Sequence, residues 1–193
     1  MNNKFMLIRV MTVPPVFAAI LLMLILILRP DEAGELYHVL TGILCLTVLP
    51  LLAYPLQRFI PAFKDRGREG QRTLAMIFSC IGYVLVVASS YILHAPVTLK
   101  MIFWEYLLCG IGILISNKLI KIKASGHACG IVGPVVMLLY LGMPICSAIA
   151  ALISVPVFVS SIKTRRHTVS ELVAGSIIPC IMLVIVHIIF NVF

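Results

Sequence analysis

Charge is scarce in this sequence. Of 193 residues only 11% are charged, and the acids are the rarest, with 7 Asp and Glu against 15 Lys and Arg. Soluble domains carry about 25% charged residues, so a water-covered globule is excluded. Hydrophobic residues fill the deficit at 62%, which also excludes a disordered chain. Apolar–polar alternation is missing too. The apolar runs are long and continuous, which excludes a transmembrane β-barrel. No two of Cys45, Cys80, Cys109, Cys129, Cys146 and Cys180 are close in sequence. Without a CxxC pair there is no zinc or redox motif, and the six read as small packing residues. No basic stretch is interleaved with aromatics at a stacking spacing, which argues against nucleic acid despite the net charge of +8. Internal repeats, linkers and a second domain are absent as well.

What is present is a series of apolar runs near the roughly 20 residues that a helix needs to cross the hydrocarbon core. They fall at 8–28, 37–56, 74–94, 99–116, 127–143, 145–162 and 170–192. The expected fold is therefore all-α: a polytopic integral membrane helix bundle of about seven spans, with six possible, in a single membrane domain over 1–193. The N-terminal run has a basic start like a signal peptide, but no small-residue cleavage site precedes Arg29, so it reads as a retained first helix. Pro14, Pro15, Pro50, Pro134, Pro156 and Pro179 fall inside spans and read as packing kinks.

With seven spans, the N-terminus and loops 57–73, 117–126 and 163–169 share one side. Only Arg29 and Lys100 lie on the other, which leaves 13 of the 15 basic residues on the first. The positive-inside rule then puts the N-terminus and the basic loops in the cytoplasm. The expected location is a bacterial inner (plasma) membrane.

Two short segments on the basic side combine the polar groups that carry chemistry. One runs from Asn117 to His127 and includes Lys118, Lys121, Lys123, Ser125 and Gly126. The other runs from Ser160 to Glu171 and includes Lys163, Arg165, Arg166 and His167. One helical hairpin separates them, so both return to one membrane face. Phosphate oxygens want fixed cations and hydrogen-bond donors, which Lys, Arg, Ser and backbone amides supply. Ser125 and Gly126 stand where a span begins, so free amides there can face an anion. One histidine can attack phosphorus and a second can protonate the leaving oxygen. Glu171 lies four residues after His167. At helical spacing the two share a face, so the carboxylate can hold the ring in one tautomer.

Ser125-Gly126-His127, a following span, a hairpin, and a basic loop with His167-x3-Glu171 and Ala174-Gly175 together resemble the type-2 phosphatidic acid phosphatase superfamily of membrane lipid-phosphate phosphatases. The resemblance covers roughly residues 115–180. It implies that His167 is the nucleophile that forms a phosphohistidine, that His127 is the acid for the leaving alcohol, and that Glu171 orients His167. Ser125 and the Gly126 amide would bind phosphate oxygens. Lys118, Lys121 or Lys123 would supply the first-motif lysine, and Arg165 and Arg166 the remaining cations. The motif differs from the family's in four places: no arginine-proline follows the lysines, Ala124 precedes Ser125 where the family has proline, Ser161 stands where it has an arginine, and Glu171 replaces its aspartate. The implied partners are a lipid-phosphate substrate and the bilayer. The implied chemistry is hydrolysis of a phosphate monoester or diphosphate without metal or cofactor. The charge split, not the resemblance, puts the site at the cytoplasmic face, against the outer-face expectation for many relatives. A lipid phosphotransferase of the same chemistry, and a non-catalytic transporter or scaffold, are the alternatives.

The remaining polar residues carry less. Glu105 is expected to snorkel or to hold a hydrogen-bonded structural place within the fourth span. His38, His94 and His187 make no facing pair for haem. Trp104, Tyr37 and Tyr91 read as interfacial aromatics.

Overall fold

The computed structural model describes residues 13–191, the side chain of Arg68 excepted. The described residues contain helices and no strand. The main helices are α1 (Pro14–Leu28), α2 (Leu36–Phe59), α3 (Gly67–Ile92), α4 (Val97–Ile120), α5 (Gly126–Tyr140), α6 (Pro144–Lys163) and α7 (Val169–Asn191). Single turns of helix at Pro30–Ala33 and Pro61–Lys64 sit in the connections. Helices α2, α3, α4, α6 and α7 are each long and apolar enough to cross a membrane. The chain is an all-α membrane bundle, with side chains such as Ile145 and Leu152 left largely exposed, as lipid-facing residues are.

The spans differ from the sequence expectation in detail. Lys4, Arg9, the start of the first run and residue 192 lie outside the described residues. The fifth run stops at Tyr140 rather than at residue 143. Its 15 residues rise about 22 Å, short of a hydrocarbon core of roughly 30 Å. The stop is physical. Gly142 takes φ 72°, Met143 N donates to Leu138 O at 2.9 Å and Gly142 N to Leu139 O at 3.0 Å. These two bonds close the helix in a Schellman motif, which needs a left-handed residue at that position. The fourth run, by contrast, is a continuous 24-residue helix. Glu105 on it is only 1% exposed, so it does not snorkel. It faces inward because α4 is the most buried of the five long helices. Cys45, Cys109 and Cys129 are buried as packing residues, whereas Cys180 is exposed.

Contacts divide the chain into two compact units, one of Ala18–Leu107 and one of Leu108–Phe193 with Met1–Phe17. In the first, Leu22 of α1 and Phe103 of α4 press on Gly42 of α2, and Leu21, Ile25, Val39, Leu46 and Ile102 are buried around them. Helix α2 widens into a π turn at Leu44–Val48, where Leu49 N reaches back to Leu44 O. Pro50 has no N–H to give, so the Cys45 carbonyl gets no helical donor. That carbonyl abuts Gly82 of α3, where any Cβ would collide with it. His38 joins two elements: its Nδ1 accepts from Glu35 N at 3.1 Å, so Nε2 carries the proton that goes to Leu93 O at 2.9 Å.

In the second unit α5 is the central helix, packed against both α6 and α7. The α6 seam repeats every seven residues through Ser147, Ser154 and Ser161. These and Val157 are buried. Small residues at such spacing let membrane helices approach closely. Val157 packs with Phe17 and Ile131. On the other side of α5, Cys129 packs with Cys109, Ala124 and Ile178.

Candidate functional site

The candidate residues lie in the second unit, at the ends of α4 and α6 and the starts of α5 and α7. Helix α4 finishes in a wide turn, Ile115–Ile120, capped by Lys121 at φ 62°. Asn117 then folds the connection to α5. Its Oδ1 accepts from Ala124 N at 2.8 Å and its Nδ2 donates to Ala124 O at 3.2 Å. Ser116 holds the same stretch, with its Oγ donating to Ile122 O at 2.9 Å. One carboxamide thus fixes both polar groups of the residue before Ser125.

Ser125 is the N-cap of α5. Its Oγ accepts from Ala128 N at 3.2 Å, which satisfies one of the orphan donors of a helix start. Among the described residues the Gly126 and His127 N–H groups have no acceptor. They point the way an anion-binding helix start does, with the dipole behind them. The loop is also tied to α7. Ser125 N donates to Glu171 O at 2.9 Å, and a Cβ on Gly175 would run into the Ser125 carbonyl. Only glycine lets α7 pass this close.

Helix α6 ends in a second Schellman motif. Arg166 N donates to Ser161 O at 3.1 Å and Arg165 N to Ile162 O at 2.9 Å, with Arg165 at φ 51°. Arg165 and Arg166 therefore lie in a turn, not on a helix. The turn continues through His167 to Thr168, whose Oγ1 accepts from Glu171 N at 3.2 Å and caps α7. His167 is thus one residue outside the helix. Helical spacing does not bring it to Glu171. Instead the Glu171 side chain, in the first turn of α7, reaches back to it. His167 Nδ1 and Glu171 Oε2 are 2.8 Å apart. The second carboxylate oxygen, Oε1, is 2.9 Å from Lys123 Nζ. The acceptor carboxylate assigns the proton to Nδ1 of His167, which leaves the Nε2 lone pair free.

His127 sits in the first turn of α5. Its Nε2 is buried and has no hydrogen-bond partner among the described residues, and the same is true of Ser161 Oγ. Lys118, Lys121 and Arg165 are exposed, Arg166 is half-buried, and none of the four makes an ion pair among the described residues. The structure therefore gathers His167, Glu171, Lys123 and the Ser125 backbone through direct bonds. No group of three or more His, Cys, Asp and Glu side chains in metal-binding array occurs among the described residues.

Three residues that position this cluster escaped the sequence reading as such: Asn117, Thr168 and Gly175. Thr168-x-x-Glu171 has the spacing of a helix capping box, which was the available signal that α7 begins after His167. Asn117 and Gly175 act through loop closure and helix approach, for which the sequence offers no local sign. Comparison of the chain with protein families, curated proteins and solved structures finds no match.

Proposed function

We propose that this protein is an integral membrane phosphatase for a lipid phosphate, working through a phosphohistidine. The observation that carries the reading is the His167–Glu171–Lys123 chain, with His167 Nδ1 bonded to Glu171 at 2.8 Å. It orients the imidazole through Nδ1, so that in the neutral ring Nε2 is the free nitrogen and can serve as the nucleophile. In this reading Nε2 attacks phosphorus and forms a P–N bond as the P–O bond to the lipid alcohol breaks. A proton that enters on the phosphate monoanion passes through His127 to the departing oxygen, and His127 then takes one from the water that hydrolyses the phosphohistidine and releases phosphate. The unpartnered Gly126 and His127 amides, with the unpaired cations Lys121, Arg165 and Arg166 nearby in sequence, support binding of the phosphate oxygens. Lys123 keeps Glu171 charged and so keeps the His167 tautomer. The resemblance to type-2 phosphatidic acid phosphatases rests on the same residues.

The reading also puts the site at the cytoplasmic face. Helices α3 and α4 are each long enough to cross. The loop before α3 and the loop after α4 then lie on one side, the side that positive charge keeps inside.

The test is phosphate release by the purified full-length protein from a panel of lipid phosphates, with EDTA present. Wild type is expected to turn over, and His167→Ala to fall by roughly 10^4-fold or more while remaining folded. Acid-labile phosphate should be trapped on histidine. Near-normal turnover in His167→Ala sinks the mechanism. Transfer to an added alcohol in place of water would reassign the protein as a phosphotransferase.

A further inference from the structure

The loop between α2 and α3 belongs to the other unit, that of Ala18–Leu107, and takes no part in the candidate site. It is nevertheless a built structure. Gln57, at the end of α2, is buried at 6% exposure. Its Nε2 donates to Phe63 O at 2.9 Å and to Gly67 O at 2.8 Å, which uses both hydrogens of the amide nitrogen. Between these anchors the chain makes the single turn Pro61–Lys64, with Lys64 N on Ile60 O at 3.0 Å.

The outside of this turn combines two chemistries. Phe59 is 67% exposed at the end of a helix apolar enough to cross a membrane, and the Arg58 guanidinium lies 4.8 Å from its ring centroid. The Arg66 guanidinium lies 5.8 Å from the Phe63 ring centroid. Arg58, Lys64, Arg66 and Arg72 are exposed, and among the described residues none of them pairs with a carboxylate. Asp65 and Glu69 do not neutralise the segment, which also contains Arg68. A soluble anion would have no use for an exposed ring, that of Phe59, at a helix end. An aromatic ring belongs at the headgroup level of a bilayer, and a guanidinium held over it at that depth faces lipid phosphate. We propose that the Gln57-tied loop is a binding site for the headgroup of an anionic phospholipid in the leaflet at this end of α2 and α3. The site stands independently of any catalytic role for the other unit.

The test uses the full-length protein, stripped of lipid in neutral detergent and offered equal amounts of phosphatidylglycerol and phosphatidylcholine. Native mass spectrometry counts the lipids retained. Wild type is expected to retain phosphatidylglycerol in preference. The double variant Arg58→Gln, Arg66→Gln should lose that preference by about tenfold, since each cation near an anionic headgroup contributes severalfold. Gln57→Leu keeps every charge but removes the tie, and should lower the preference as well. Should the double variant not fold, Lys64→Gln with Arg72→Gln touches no ring and is expected to give a smaller loss. An unchanged ratio in the folded arginine or lysine–arginine variants overturns the proposal. So does an equal loss from Lys118→Gln with Lys121→Gln, which would put the lipid at the other loop. Displacement of the lipid by an equal concentration of glycerol phosphate would assign a soluble anion and overturn it too. An unchanged ratio in Gln57→Leu would overturn the part played by the folded loop.

Discussion

The loop after α2 and the loop after α4 are each folded by a carboxamide on the helix they leave. Gln57 donates to two carbonyls, of Phe63 and Gly67. Asn117 clamps the N–H and the C=O of one residue, Ala124. Each unit also has a glycine on a long helix that admits the backbone carbonyl of a residue from another long helix or its cap: Gly82 against Cys45 in the first, Gly175 against Ser125 in the second. The devices match, but the outcomes differ. The first loop leaves its cations unpaired among the described residues, two of them near rings, Arg58 on the exposed Phe59 and Arg66 on the half-buried Phe63. The second delivers a cation, Lys123, to a carboxylate that already holds a histidine. The difference lies in the elements around each loop. The second runs into a helix start with free amides, and α7 passes close enough to contribute Glu171. In the proposed reading, a basic loop becomes a candidate site where a second element brings a carboxylate and a histidine within bonding distance of it.

After the loss expected for His167→Ala, the next largest effect tests that statement at the carboxylate. Glu171→Gln keeps the shape of the side chain but has one acceptor oxygen for two donors, His167 Nδ1 and Lys123 Nζ, and no charge to balance the lysine. Phosphate release should fall by roughly 10^2-fold or more, the scale of a misdirected general base or nucleophile, with the melting temperature little changed. Turnover close to wild type in a folded Glu171→Gln protein would reduce the cluster to a structural ion pair.

The close approaches come next. Gly175→Ala and Gly82→Ala each force a methyl group into a backbone carbonyl, and overpacking of this kind destabilises by about 1–3 kcal/mol. Both variants should melt lower in detergent. Only Gly175→Ala should also lose phosphate release per folded molecule, since it moves α7 off the Ser125 loop. Equal loss from Gly82→Ala would end the distinction between the two units.

The helices were legible in the sequence because long apolar runs have one stable form in a bilayer. The contact between His167 and Glu171 was legible too, as His167-x3-Glu171, though for the wrong reason. A repeat of four residues suggested one helix face, whereas Thr168 starts α7 after His167 and the carboxylate reaches back. The π turn in α2 was half written, in Pro50 beneath an apolar run. Lys123 was one of three lysines that spacing could not separate. What separates them is the left-handed turn at Lys121 and the Asn117 clamp, and these are products of tertiary closure. Gly175 carries no local sign at all, because its meaning is the Ser125 carbonyl of another helix.

The two carboxamides offer a smaller effect. Asn117→Ala and Gln57→Ala each remove two hydrogen bonds and leave backbone groups to find water, a loss of about 1–3 kcal/mol at most. Asn117→Ala frees Ala124 and with it the register of Lys123 and Ser125. Its phosphate release should drop about tenfold, through kcat more than KM. Gln57→Ala should leave phosphate release unchanged. A drop in both, or in neither, would show that loop closure is not what separates the two regions.

The smallest effect concerns two helix ends that share one motif. Helix α3 ends with His94 at φ 53° and α6 with Arg165 at φ 51°. In each case the next N–H reaches back in the Schellman pattern: Ala95 to Ser90 O at 2.8 Å, Arg166 to Ser161 O at 3.1 Å. A side chain in this left-handed conformation costs about 1 kcal/mol relative to glycine, partly offset by the greater freedom of glycine in the unfolded chain. His94→Gly and Arg165→Gly should therefore both hold or raise the melting temperature, by a few degrees at most. At α3 that should be the whole effect. At α6 the substitution also removes a cation beside His167, so phosphate release should fall severalfold while stability holds, chiefly as a higher KM for the lipid phosphate. Arg165→Lys, which restores charge without the planar fork, should recover part of the loss. Full activity in Arg165→Gly would mean that this cation faces solvent or headgroups, and that the unpaired amides of α5 with Arg166 are what meet the phosphate.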